Sequence, residues 1–205
     1  AEKVGNGADY YAMHGKGMEI SAQDGRAQQS MGLAHVTSSR GADHLKAYPV
    51  LDETGFPEEA GERFGEELPP ELVDGMSLKY KPMYVKQSED FAAVVDSLGI
   101  CKFGTMFPPA LYWEELAEAI SLATGKEMTI ERLKEIGERI NALQRCFNIR
   151  CGISRKDDTL PERLLKEKSP SSRAKGHVVY LQPMLEEYYE VRGWVGWHHH
   201  MTLSL

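Results

Sequence analysis

Two short segments hold residues whose types and spacing suit chemistry. The first reads Asp96-Ser97-Leu98-Gly99-Ile100-Cys101. Its carboxylate falls in the last turn of an expected helix, where the helix dipole disfavours negative charge. It therefore needs a donor, and a ligand edge with adjacent N–H groups would serve, since a carboxylate accepts two at once. Gly99 lets the chain turn, and Cys101 follows where a soft metal could use its thiolate. The same residues also read as a plain helix end followed by a buried free thiol, a common place for cysteine. The second segment runs from Thr37 to Lys46 and places Arg40 and Lys46 on either side of His44. Two cations can hold a phosphate, and an imidazole titrating near neutrality can move a proton. A solvated turn is the competing reading of this segment.

The elements that must position these residues are helical. Phe91, Val94, Val95 and Leu98 repeat at helical spacing behind Ser88, the expected N-cap, and Gly99 is the expected stop. Further helices are predicted over Arg26–Ser38, Trp113–Thr124 and a long stretch capped by Thr129. The core of that stretch is expected at Ile130, Leu133, Ile136, Ile140, Leu143 and Phe147. Thr159 and Pro161 open a short helix through Leu165. Pro183 opens another, with Leu185, Tyr188 and Tyr189 inward and Gly193 as its end. Only His177–Leu181 reads as extended. Residues 51–80 read as an acidic surface excursion with short helical pieces. The fold class expected is mainly α, an irregular helical domain.

Composition narrows the function classes. The chain has 205 residues, 41% of them apolar and 27% charged, with a net charge of −7. That balance is ordinary for a globular protein and opposes a nucleic-acid surface, which needs a basic stripe. No apolar run is long enough to span a membrane, and no leader peptide is visible. Three cysteines, Cys101, Cys146 and Cys151, are too few for a four-cysteine metal site and fit a reducing, cytoplasmic setting. Cys146 and Cys151 read as small structural residues. His198–His200 can bind a metal in principle, but reads more simply as a frayed tail.

At these motifs the sequence resembles the tungsten-containing aldehyde ferredoxin oxidoreductase family, specifically its C-terminal third. The resemblance is carried by His14–Ile20, by Met31-Gly32-Leu33-Ala34 through Tyr48, and by Asp96–Phe103. Phe147–Arg163, with Arg155-Lys156-Asp157-Asp158-Thr159-Leu160-Pro161 inside it, and Tyr188–Trp194 continue it. It covers about residues 9–194. The expected organisation is a helical C-terminal domain over 1–194, part of a larger oxidoreductase subunit, and a divergent tail over 195–205.

The resemblance implies a tungsten (or molybdenum) centre held between two pyranopterins of the molybdopterin type, beside a [4Fe–4S] cluster. It also implies oxidation of aldehydes to carboxylic acids, with electrons passing to ferredoxin. The family's DxxGLC motif matches Asp96, Gly99 and Cys101, with Ile100 in place of leucine. It implies that Asp96 and Ile100 belong to the pterin site and that Cys101 is one of four cluster thiolates. Arg40 and Lys46 match pterin-contacting residues, and His44 matches a histidine near the metal. The family's CxxCxxxC run, its earlier aspartate motif and its β-rich N-terminal domain have no match in the 205 residues. The remaining domains of the same enzyme are therefore the expected partners, and the isolated chain is expected to be inactive. A reductase subunit of the benzoyl-coenzyme-A type and a cofactor-free helical interaction module are the alternatives. The small-residue helix Arg26–Ser38 and the loop after Gly99 are the faces expected to be left open, which would favour a homo-oligomer.

Overall fold

The computed structural model describes residues 1–54, 68–106 and 111–194. The expected His198–His200 tail and residues 55–67 of the acidic excursion lie outside the described residues. Among those described, the chain is mainly helical, with one two-stranded antiparallel hairpin. The hairpin pairs β1 (His14–Gly15) with β2 (Met18–Glu19). Lys16 and Gly17 both have positive φ, 52° and 80°, as the tight turn between twisted strands requires.

The helices are α1 (Gln29–Thr37), α2 (Leu51–Thr54), α3 (Pro70–Val73), α4 (Lys81–Leu98), α5 (Trp113–Thr124), α6 (Ile130–Arg150), α7 (Glu162–Lys166) and α8 (Leu181–Val191). Helix α4 is the axis of the fold. It packs chiefly against α6, and also against α8 and α1. One apolar core gathers Leu33 and Val36 of α1, Val85 of α4, Leu164 of α7, and Met184, Leu185 and Tyr188 of α8. A second gathers Phe91, Val94 and Val95 of α4 with Trp113, Leu116 and Leu133. The two helices α4 and α6 lie so near each other at Gly137 that a Cβ there would sit 2.3 Å from the Asp90 carbonyl oxygen.

Several expectations need correction. Ser88 is not an N-cap; it is buried in the middle of α4, which begins seven residues earlier at Lys81. Pro82 occupies the first turn, where its missing N–H costs nothing. The Lys81 ammonium is buried against Asp52 at 2.9 Å. Leu143 and Phe147 of α6 are 70% and 66% exposed and belong to neither core. Helix α1 is not an open face, because all of Gln29–Val36 is buried. His177–Leu181 forms no strand. The Gln29 amide instead donates to the Val178 carbonyl at 3.0 Å and accepts from the Tyr180 N–H at 3.0 Å, so a side chain satisfies this backbone. Helix α8 starts at Leu181, and Pro183 lies within its first turn.

Candidate functional site

The segment after α1 is held from two sides. The Lys16 ammonium donates to the carbonyls of Val36 and Ser38, at 2.5 and 3.1 Å, and pairs with Asp158 at 2.7 Å. On the other side, the Ser39 hydroxyl donates to Gln144 Oε1 at 2.6 Å, and the Asn148 amide donates to the Ser39 carbonyl at 2.6 Å. The chain then turns through Gly41, at φ 114°, into a single 3-10 turn over His44–Lys46. Asp43 caps that turn by accepting from the Leu45 N–H at 2.9 Å. Its other carboxylate oxygen pairs with Nε of Arg40, whose guanidinium stays about half exposed.

His44 points inward. The residue is 7% exposed, and its Nδ1 lies 2.8 Å from the Ser21 hydroxyl. His35 of α1 meets it edge-on, with ring centroids 5.5 Å apart, and Tyr48 stacks on it at 6.3 Å. Burial pushes the pKa of His44 below the ordinary histidine value, with Asp43 pulling the other way. His44 is thus held toward its neutral form. Burial, the neighbouring His44 and the opposing Asp43 leave His35 at about 4.

The second segment meets the first at the end of α4. Gly99 takes the left-handed conformation at φ 69°, and its N–H bonds to the Asp96 carbonyl at 3.2 Å. The Asp96 carboxylate, 39% exposed, pairs with Lys102 and lies 3.5 Å from the Lys46 ammonium. Two lysines thus supply the donors that a carboxylate at a helix C-terminus needs. Ile100 packs against the second core, and Cys101 is exposed and free of any disulfide. Phe103, two residues on, meets Tyr48 edge-on at 5.4 Å and joins the two segments again. Burial raises the pKa of the Tyr48 hydroxyl, helped by the charges of Glu53 and Cys101.

The fold therefore brings Lys46 against Asp96 and sets Cys101 beside them, while Arg40 is held to the base of the His44 turn. The set offers two cations, a carboxylate and a thiol, with a neutral imidazole behind them. Among the described residues, no three His, Cys, Asp or Glu side chains cluster to hold a metal ion. No described helix is long and apolar enough to cross a membrane. Ser21, His35, Asp43, Tyr48 and Lys102 belong to the site and were not singled out by sequence. The nearest signals were Asp43 standing immediately before His44, as an N-cap would, and Lys102 following Cys101.

Comparison with known proteins agrees with the motifs. The family model described as aldehyde ferredoxin oxidoreductase, domains 2 and 3, matches residues 1–204. The chain is 34% identical over 191 residues to the tungsten-containing aldehyde ferredoxin oxidoreductase of Pyrococcus abyssi, covering 92% of the chain and 29% of that protein. It is 34% identical over 196 residues to that of Pyrococcus horikoshii, covering 95% and 30%. The chain spans less than a third of the length of these curated relatives. A solved structure, the active site complex BamBC of benzoyl coenzyme A reductase with 1,5-dienoyl-CoA, shares the fold at a TM-score of 0.68 and 22% identity. That match covers 95% of this chain and 32% of the other.

Proposed function

Because the chain belongs to the aldehyde ferredoxin oxidoreductase family, we propose that it is the cofactor-embracing C-terminal part of an aldehyde-oxidising enzyme. The cofactors would be a tungstopterin and a [4Fe–4S] cluster shared with other domains, and the electron acceptor ferredoxin. The observation that carries this reading is the meeting of Lys46 with Asp96 at 3.5 Å, five residues before the exposed Cys101. It joins the two motifs that the family's chemistry needs side by side.

The donor set fits the group. Arg40 and Lys46 suit the phosphate of a pyranopterin. Asp96 is 39% exposed and paired with the ammoniums of Lys46 and Lys102, so it can exchange them for the N–H edge of a pterin. Ile100 anchors the turn between Asp96 and Cys101 in the apolar core, which fixes where both side chains emerge. Cys101 offers one thiolate of the four that such a cluster takes. When bound, these cofactors supply the redox step: an aldehyde and water give a carboxylic acid, two protons and two electrons. His44, held neutral by burial, can donate a hydrogen bond to the reacting oxygen or take up a released proton.

The test uses the full-length protein. Cys101→Ala should lose cluster absorbance and iron. His44→Ala should keep tungsten and iron while aldehyde-dependent ferredoxin reduction falls by about 100-fold or more. Full activity in the His44 variant, or full iron content in the Cys101 variant, overturns the assignment. Reduction of an aryl thioester of coenzyme A, with no oxidation of aldehydes, would move the protein to the reductase reading.

A further inference from the structure

We infer that His35 is a positioning residue for His44: through the Ser21 hydroxyl it fixes the ring proton of His44 on Nε2. His44 then presents a hydrogen-bond donor, not an acceptor, to the reacting centre.

The inference rests on counting hydrogens in a chain of three groups. His35 Nε2 lies 3.3 Å from Ser21 Oγ, and Ser21 Oγ lies 2.8 Å from His44 Nδ1. The hydroxyl has a single hydrogen to give. His35 is 1% exposed and its Nδ1 has no hydrogen-bond partner among the described residues. Buried, and facing a second imidazole, it is neutral near pH 7 and carries one ring proton. Were that proton on Nδ1, a buried N–H would have no acceptor. Such groups are rarer in folded proteins than acceptors lacking a donor. The proton therefore sits on Nε2 and is donated to Ser21 Oγ. With one lone pair taken by His35, the hydroxyl is polarised as a donor and turns its single hydrogen to the shorter, 2.8 Å contact with His44 Nδ1 instead of accepting a second N–H there, so the proton of His44 is on Nε2. The charged neighbour on the same turn does not compete, since Asp43 is engaged by the Leu45 N–H and by Arg40. Nothing that the resemblance implies assigns a role to His35 or Ser21.

The consequence for turnover rests on the proposed role of His44; the tautomer does not. The test is long-range proton–nitrogen NMR of the full-length protein labelled on its histidine ring nitrogens, with His44→Gln to assign the His44 signals. The wild type should show His44 as the single Nε2–H tautomer. In Ser21→Ala and His35→Phe the ratio of tautomers should fall by about tenfold, the weight of one hydrogen bond. His35→Gln, whose amide N–H can still donate to Ser21, should restore it. Ser21 lies at the surface, so Ser21→Ala gives the reading even if His35→Phe fails to fold. A His44 proton on Nδ1 in the wild type, or a ratio unchanged in Ser21→Ala, overturns the inference. A fully active His44→Ala enzyme with the Nε2 tautomer intact in the wild type overturns only the proposed function.

Discussion

Two groups of charged side chains sit on helix α4, and they are built on opposite terms. Toward its middle, Glu89 and Asp90 face Arg192, all with side chains no more than 6% exposed. The Arg192 guanidinium holds Asp90 at 2.6 Å, pairs with Glu89, and donates to the Tyr188 hydroxyl at 3.0 Å. Tyr188 and Thr37 both donate to Glu89, at 2.5 and 2.6 Å, and Lys86 and Asn141 both reach Asp90 at 2.8 Å. Partners on α1, α4, α6 and α8, with Arg192 at the C-cap of α8, close this network. At the end of the same helix, the Asp96 carboxylate is 39% exposed and meets the ammoniums of Lys46 and Lys102. The same residue types do structural work where their partners are fixed and dry. They remain available to a ligand where the carboxylate itself reaches solvent.

The inner network should be by far the costlier of the two to break. Arg192→Met removes the cation that two buried carboxylates share, and should cost about 3–5 kcal/mol. Urea unfolding of the chain measures it. A loss below about 1 kcal/mol, the range of surface pairs, would erase the distinction.

His35 stands between the two regions, buried like the first and linked to the second. Its folded pKa of about 4 lies below the ordinary 6.5. The unfolded chain therefore binds more protons between these values. Stability contributed by neutral His35 is whole above about pH 6.5 and is lost as pH falls toward 4. The full loss is on the order of 3 kcal/mol. Unfolding curves of wild type and His35→Gln across this window check it. The variant should show the flatter dependence, and equal slopes would place the acid sensitivity elsewhere.

Next in size is the packing that keeps the inner network dry. Gly137→Ala would drive a methyl group into the Asp90 carbonyl and push α6 off α4. Overpacking of this kind costs about 1–3 kcal/mol. Thermal unfolding should show the loss, while Gly99→Ala, which meets open space, should act only through its backbone strain at positive φ.

These two regions also differ in what sequence could reveal. The outer one was legible because its residues are local: Asp96, Gly99 and Cys101 lie within six positions, as do Arg40, His44 and Lys46 within seven. Helices α5 and α6 were legible from caps and apolar period, and so were the inward faces of Leu185, Tyr188 and Tyr189. The inner network was not. Ser88, with Glu89 and Asp90 behind it, reads as the polar start of a helix, yet all three are buried, because partners such as Arg192 lie far along the chain. Leu143 and Phe147 misled in the opposite sense, since helical period marks a stripe and does not say how far along it a neighbour extends. His35 was hidden for the same reason as the network: only the fold brings it to Ser21 and His44.

The smallest expected effect is the sharpest test of the outer region. If Asp96 is kept available for a ligand, its ties to Lys46 and Lys102 must be weak. Lys46→Met and Asp96→Asn, singly and together, should each change stability by less than about 1 kcal/mol. Their coupling in the double variant should be about 0.5 kcal/mol or less and should fade in high salt. If the proposed pterin contact holds, the same Asp96→Asn in the full-length enzyme should lower retained tungsten, because an amide replaces one acceptor oxygen with a donor that would oppose the N–H edge of the pterin. A strong coupling together with undiminished tungsten would mean that Asp96 is a structural residue after all. A weak coupling with lost metal is the behaviour expected of a side chain whose proper partner is not part of the fold.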